Sequence, residues 1–212
     1  MVAVNFKVRL SWLNWNAQRG EKHMATESNC KLGNLLNRLD AAVDGNCPKQ
    51  ITNGVKLALE DLIQSGECVL EARFVEPCPG KYARRLIHRH PECKYTLMAM
   101  VWDKDQGTPI HDHAGMWCVE CVYRGRIKVV SYSLIGSDND VPCKFEKETE
   151  IHAGPGEAGA LIPPYDYHTI ENDTETPTIT LHVYGGEMTS CHVFVPIDGG
   201  FERQERALCY TE

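Results

Sequence analysis

The sequence predicts a mainly β fold, an antiparallel sandwich or barrel behind a small helical layer, and three observations predict it. Short apolar runs alternate with Gly, Pro and Asp over the C-terminal two thirds: 95–102, 117–123, 127–133, 160–162, 178–184 and 191–195. Strands at that spacing, punctuated by turn residues, are the mark of antiparallel all-β architectures. Ahead of them, two stretches repeat leucines at helical spacing. Finally, 212 residues at 42% hydrophobic content suffice for one buried core and favour a single domain.

The elements follow in order. Residues 1–30 read as an extension, poorly ordered or an upstream start; within residues 1–26, Lys7, Arg9, Arg19 and Lys22 stand against one acid, Glu21, beside Trp12 and Trp15. They lack the apolar core and small-residue cleavage site of a targeting peptide. From Lys31, Leu32, Leu35, Leu36 and Leu39 recur three and four residues apart, and the pattern ends near Asp44-Gly45. A second helix is predicted over 50–64, carrying Val55, Leu57, Leu59, Leu62 and Ile63. The helical layer is thus expected over 31–75 and the β portion over 76–212, as one domain.

Charge and composition exclude several function classes. A net charge of −7 argues against nucleic acid or an anionic membrane surface, both of which need concentrated positive charge. No apolar run reaches the length of a membrane span. Ten cysteines are scattered over a chain far larger than disulfide-stapled modules, so a reduced, cytoplasmic protein is expected. Cys118-Val119-Glu120-Cys121 is the one CxxC, but residues three apart on a strand face opposite ways, so the sulfurs do not converge.

The chemistry concentrates between Gly107 and Gly125, where His111 and His113 stand two apart at the head of a β-prone run. Alternate residues of an extended segment share a face, so both imidazoles can point at one ion. A third imidazole, His168, lies in PPYDYHTIEN ahead of Asn172. Imidazole suits iron, zinc, copper and nickel alike, so ligand type alone leaves the metal open.

Together these pieces resemble the two motifs of the cupin superfamily, which implies a jelly-roll barrel. Gly107, His111, His113 and Gly125 hold their places in the first motif, while Cys118 stands where the family carries a Glu ligand. In the second motif Pro163, His168 and Asn172 fit and Tyr165 replaces a Gly. That departure leaves three neutral histidines and no carboxylate. His-x-His followed by Cys, a distal His, and then His182 and Tyr184 on TITLHVY resembles the thiol dioxygenases, the cysteine dioxygenases in particular. Tyr82-Ala83-Arg84 resembles that family's Tyr-x-Arg segment, and the likeness runs from about Lys81 to Phe194.

The resemblance implies one Fe(II) per chain, held by His111, His113 and His168, and oxidation of the thiol of L-cysteine by O2 to the sulfinic acid in a monomeric enzyme. It assigns Arg84 to the substrate carboxylate, Tyr82 to the pocket wall, and Tyr184, oriented by His182, to a hydrogen bond at the reacting centre. Cys118 and Tyr184 are the residues that this family can join by a thioether. Cys118 has the opposite parity to the two histidines, so a change of register is expected at Ala114-Gly115, where glycine tolerates a bulge or turn. Two alternatives stay open. Gly185-Gly186 replaces the Ser-Pro-Pro of the animal enzymes, which keeps 3-mercaptopropionate as a substrate, and a cupin that binds metal or thiol without turnover is the reading from another class.

Overall fold

The computed structural model describes residues 21–66 and 70–212. Helix α1 spans Glu21–Val43 and α2 spans Pro48–Gln64. Helix α1 therefore starts well before Lys31, so the boundary expected after residue 30 falls inside a helix; residues 1–20 lie outside the described residues. Among the described residues no helix is long and apolar enough to cross a membrane. Leu35, Leu39, Val55 and Leu59 of the predicted periodic face are buried, each full burial contributing about 1.5–3 kcal/mol, whereas Leu57, counted with them, is 50% exposed.

Eleven strands follow: β1 Ala83–Arg89, β2 Thr96–Trp102, β3 Ile110–His111, β4 Cys118–Arg124, β5 Ile127–Ile135, β6 Lys144–Ala153, β7 Ala158–Leu161, β8 His168–Asn172, β9 Thr178–Tyr184, β10 Ser190–Ile197 and β11 Gly200–Ala207. They form a five-stranded sheet, β1-β2-β9-β4-β7, and a six-stranded sheet, β11-β10-β3-β8-β5-β6. The predicted barrel is thus two antiparallel sheets that no described ladder closes into a continuous cylinder.

Alternation along β2 and β9 explains the layering. Leu97, Ala99, Val101, Ile179, Leu181 and Val183 pack on one side with Leu35, Leu39, Val55 and Leu59 of the helices. Met98 and Tyr184 turn the other way, toward Cys191 and Val193 of β10, as do Met100 and Trp102 toward Ile127 and Ile170. Both faces of these strands are buried along all seven residues, and in β9 the face turned from the helices carries Thr180, His182 and Tyr184. The opposite face of the six-stranded sheet carries a smaller cluster built on Ile110, Cys143 and Phe194.

Five strands escaped the sequence pattern. Strands β6 and β11 are edge strands of the larger sheet, and KFEKETEIHA and GFERQERA carry the charges that keep such edges from pairing with other chains. β1 is likewise an edge, β3 is only two residues long, and β8 holds a single aliphatic residue, Ile170.

Between β4 and β5 the chain passes from one sheet to the other through Gly125, whose φ of +88° lies in the left-handed region. A Cβ there would lie 2.2 Å from Thr178 Oγ1 and 3.0 Å from Thr178 Cα. Gly125→Ala is expected to lower the urea unfolding midpoint, by about 1–3 kcal/mol from backbone strain alone, with the clash adding to it.

Candidate metal and thiol site

Three imidazoles converge between the sheets. His111 and His168 are direct partners across the β3–β8 ladder, and His113 follows in the turn closed by Met116 N–H to His113 O at 3.0 Å. One nitrogen from each ring lies within 4.8 Å of the other two. His113 and His168 are fully buried, and His111 is partly open.

The outer nitrogen of each ring faces an acceptor. His111 Nδ1 lies 3.2 Å from Pro109 O, His113 Nδ1 3.1 Å from Asp166 Oδ2, and His168 Nδ1 2.9 Å from Asp166 O. Only an N–H satisfies a carbonyl or carboxylate, so each proton sits on Nδ1 and each Nε2 presents a lone pair. His113 Nε2 and His168 Nε2 have no hydrogen-bond partner despite full burial. Burial lowers the proton affinity of His111 and His113, His111 the more strongly, which also favours neutral ligating rings. This donor set fits a divalent first-row metal ion.

The five-stranded sheet supplies the opposite wall. Cys118 faces Tyr184 and Glu120 faces His182 across the β4–β9 ladder. The register changes where Ala114 and Gly115 both take positive φ, 52° and 78°, so Cys118 enters β4 turned inward. Its sulfur joins Met98 and Tyr184, while Cys121 packs on the helical side. Burial drives the Cys118 thiol and the Tyr184 phenol well above their ordinary values, so both keep their protons.

One expectation needs correction. The site does contain a carboxylate: Glu120, two residues after Cys118 and on the same face, is 6% exposed. Its Oε1 lies 3.2 Å from His182 Nδ1 and 3.3 Å from His168 Nε2. Burial raises its proton affinity, but His168 and His182 outweigh that and hold the carboxyl well below the usual range. The same contact reverses the effect of burial on His168, whose proton affinity is raised. The parity rule that pairs His111 with His113 also puts Glu120 on the face of Cys118, so the signal was there in the sequence. His182 is consequently shared: Tyr184 Oη lies 3.4 Å from the same Nδ1, and Thr180 Oγ1 lies 2.7 Å from Nε2.

Arg84 enters from β1, 5% exposed. Nη2 reaches Met188 O at 3.4 Å and Met98 Sδ at 3.7 Å, and Nη1 is buried with no partner. No carboxylate pairs with it among the described residues. The neighbouring Arg85 faces away and is spent on Glu76 O and Glu212 O, at 2.8–3.2 Å. Arg84, His111, Glu120, His182, Tyr184 and Tyr82 line one cavity, with Tyr82 stacked on Trp102 at 4.7 Å. Gly185 and Gly186 do not line it. Gly185 instead admits the Trp117 ring, whose Nε1 would lie 2.4 Å from an added Cβ.

Asp166, which sequence reasoning passed over, ties two of the rings together. Its Oδ2 accepts from His113 N at 3.0 Å as well as from the ring, and its main-chain oxygen takes His168. Asp166→Ala is expected to weaken metal binding about 10–100-fold in chelator competition, without unfolding the protein.

A profile of the family described as cysteine dioxygenase type I matches residues 64–196, a segment holding every site residue named above except Glu212. Cysteine dioxygenase type 1 of Homo sapiens is 24% identical over 115 residues, 54% of this chain and 56% of that protein. The Rattus norvegicus protein of the same name is 25% identical over 129 residues, 60% and 61%. The alignments thus span little more than half the length of these relatives. Among solved structures, an uncharacterized conserved protein with a double-stranded β-helix domain from Klebsiella pneumoniae is 14% identical, covering 56% of this chain and 84% of that one, with a TM-score of 0.44. The family profile covers more than half of the sequence, and the chain belongs to the cysteine dioxygenase type I family.

Proposed function

We propose that this protein is an Fe(II)-dependent thiol dioxygenase whose substrate is L-cysteine, converting R–SH and O2 to R–SO2H with both oxygen atoms on sulfur and no other reductant. The observation that carries the reading is Arg84: a buried guanidinium with an unpartnered Nη1 opens on the cavity that His111 lines. A small thiol that also bears a carboxylate satisfies both ends at once.

His111, His113 and His168 would hold the iron, which supplies a Lewis-acidic, redox-active centre where a thiol and O2 combine. The chain's own residues do the rest. Arg84 takes the substrate carboxylate by a charge-assisted pair, in geometry a guanidinium provides and an ammonium does not. Tyr184, protonated and with Met100 Sδ at 3.7 Å as a weak acceptor, has its hydroxyl hydrogen available to substrate. Met98, Met100, Met188 and Trp102 are each at most 5% exposed, which keeps water from the reacting groups. Arg84 addresses the carboxylate of either cysteine or 3-mercaptopropionate, and Gly185-Gly186 keeps the second substrate as the alternative reading. A protein that merely stored metal would have no use for a buried counter-ion-free arginine beside a phenol.

The primary assay is O2 uptake with L-cysteine by anaerobically iron-loaded protein, with sulfinate as product. His168→Ala is expected to lose iron and turnover together. Arg84→Ala is expected to retain iron and to lose about 2–5 kcal/mol in kcat/KM for cysteine, together with its preference for cysteine over cysteamine, which lacks the carboxylate. Normal cysteine turnover by Arg84→Ala would refute the substrate assignment, since Arg85 is committed elsewhere.

Cys118 and Tyr184 stand opposite each other on neighbouring strands, a relation that brings Cβ atoms to roughly 4.5–5.5 Å. A thioether between them, formed during turnover with loss of the Cys118 S–H hydrogen and one Tyr184 ring hydrogen and with O2 as the two-electron oxidant, is part of the proposal. Denaturing gels of turned-over protein are expected to show two closely spaced bands that Cys118→Ser merges into one; a single band from active wild-type protein would count against the cross-link.

A further inference from the structure

The cavity has one wall that the family match does not reach. The matched residues end at 196, yet Leu208 lines the cavity and packs, with Tyr210, against the cluster of Met98, Tyr184, Met188 and Cys191. Leu208 and Tyr210 are partly buried while Cys209 between them is exposed, so the side chains after β11 alternate as they do on a strand.

This strap is tied down along its length. Leu208 N–H donates to Thr189 O at 2.8 Å, and Thr211 N–H donates to Arg84 O at 2.7 Å. Thr211 Oγ1 accepts from Arg84 N–H at 3.1 Å, so one residue of the strap takes both main-chain groups of Arg84 along the outer edge of β1. Arg85 Nη1 donates to Glu212 O at 2.8 Å. Tyr210 Oη gives its hydrogen to Glu187 Oε1 at 2.9 Å, and Glu187 pairs in turn with Arg89.

The anchoring matters because the head of Arg84 is otherwise loosely held. Among the described residues its polar contacts are a carbonyl at 3.4 Å and a thioether at 3.7 Å, both long. Arg84 Cζ lies 5.8 Å from the centroid of the Tyr210 ring, within the range at which an aromatic face attracts a cation. The phenol's hydrogen bond to a carboxylate leaves the ring richer in electrons, which strengthens that attraction. An aromatic face also orients a guanidinium without neutralising it, so the unpartnered Nη1 stays available to an incoming anion.

We propose that Tyr210, presented by the strap 208–212, is a positioning residue: it holds the Arg84 guanidinium in place for a substrate carboxylate and so sets the preference for thiols that carry one. The inference rests on the role of Arg84 proposed above and deepens it.

Anaerobic calorimetry on iron-loaded protein gives Kd for L-cysteine and for cysteamine, which lacks the carboxylate, without turnover. Tyr210→Ala is expected to lower the cysteine-to-cysteamine affinity ratio about tenfold, and Tyr210→Phe, which keeps the ring, to restore most of it. In an Arg84→Ala background Tyr210→Ala is expected to change the ratio no further, because the two side chains act as a coupled pair. A purely structural defect weakens both ligands alike and leaves the ratio at its wild-type value. That result for Tyr210→Ala, with Arg84→Ala still losing the preference, overturns the role of Tyr210 and spares that of Arg84. A wild-type ratio in Arg84→Ala overturns both. Melting curves check folding; should Tyr210→Ala not fold, Tyr210→Leu, which keeps apolar bulk but has no ring face, takes its place with the same expected and overturning results.

Discussion

The site depends on the register of β9, which has a partner on each side. Thr180, His182 and Tyr184 face the cavity, and the ladders set Met100, Met98 and Thr96 beside them on β2. On the other side stand Val122, Glu120 and Cys118 of β4, and Arg84 joins the row of Met100 from β1. Clamp, relay and phenol are thus columns and rows of one pleated surface. A slip of one residue would send every one of them to the helical side and put leucine and valine in the cavity. The register is held by what lies behind it, since Ile179, Leu181 and Val183 are wholly buried in the core shared with the helices. The helical layer carries no chemistry, yet it fixes which residues do.

Charge is the second organising theme. Arg84 and Glu120 are both nearly inaccessible, and an unpaired buried charge costs several kcal/mol. They are not paired with each other in the described contacts: Arg84 has a main-chain oxygen and a sulfur, Glu120 two imidazoles. Glu120 is therefore answered within the fold, and Arg84 is the group that the described contacts leave without a counter-charge. The charge left over in the cavity is positive, which suits the substrate carboxylate proposed above.

Much of this was legible in the sequence, and the rest was hidden for identifiable reasons. His-x-His followed by a distal histidine and the His182-Tyr184 pair carry parity information that survives without coordinates. The reason for His113's placement differs from the one the pattern gives, however: β3 ends at His111, and a turn and Asp166, more than strand alternation, aim the second ring. Glu120 went unread because attention fell on Cys118 as the substituted position. Edge strands β6 and β11 were invisible because edges are charged on purpose, which erases the alternation that identifies strands. Asn172 also changes meaning. In the structure it organises the turn before β9 through Thr174, Thr176 and Thr178 and takes no part in the cavity.

The three imidazoles are not equivalent. His113 and His168 are fully buried and both hang on Asp166, whereas the His111 ring meets the carbonyl of Pro109 and its main chain is laddered to β8 and β10. Two arms of the centre thus share one residue, while the third is set by its strand partners. A change at Asp166 would disturb two rings at once and leave His111 where it is, so a site that looks symmetrical in space depends unequally on the chain around it.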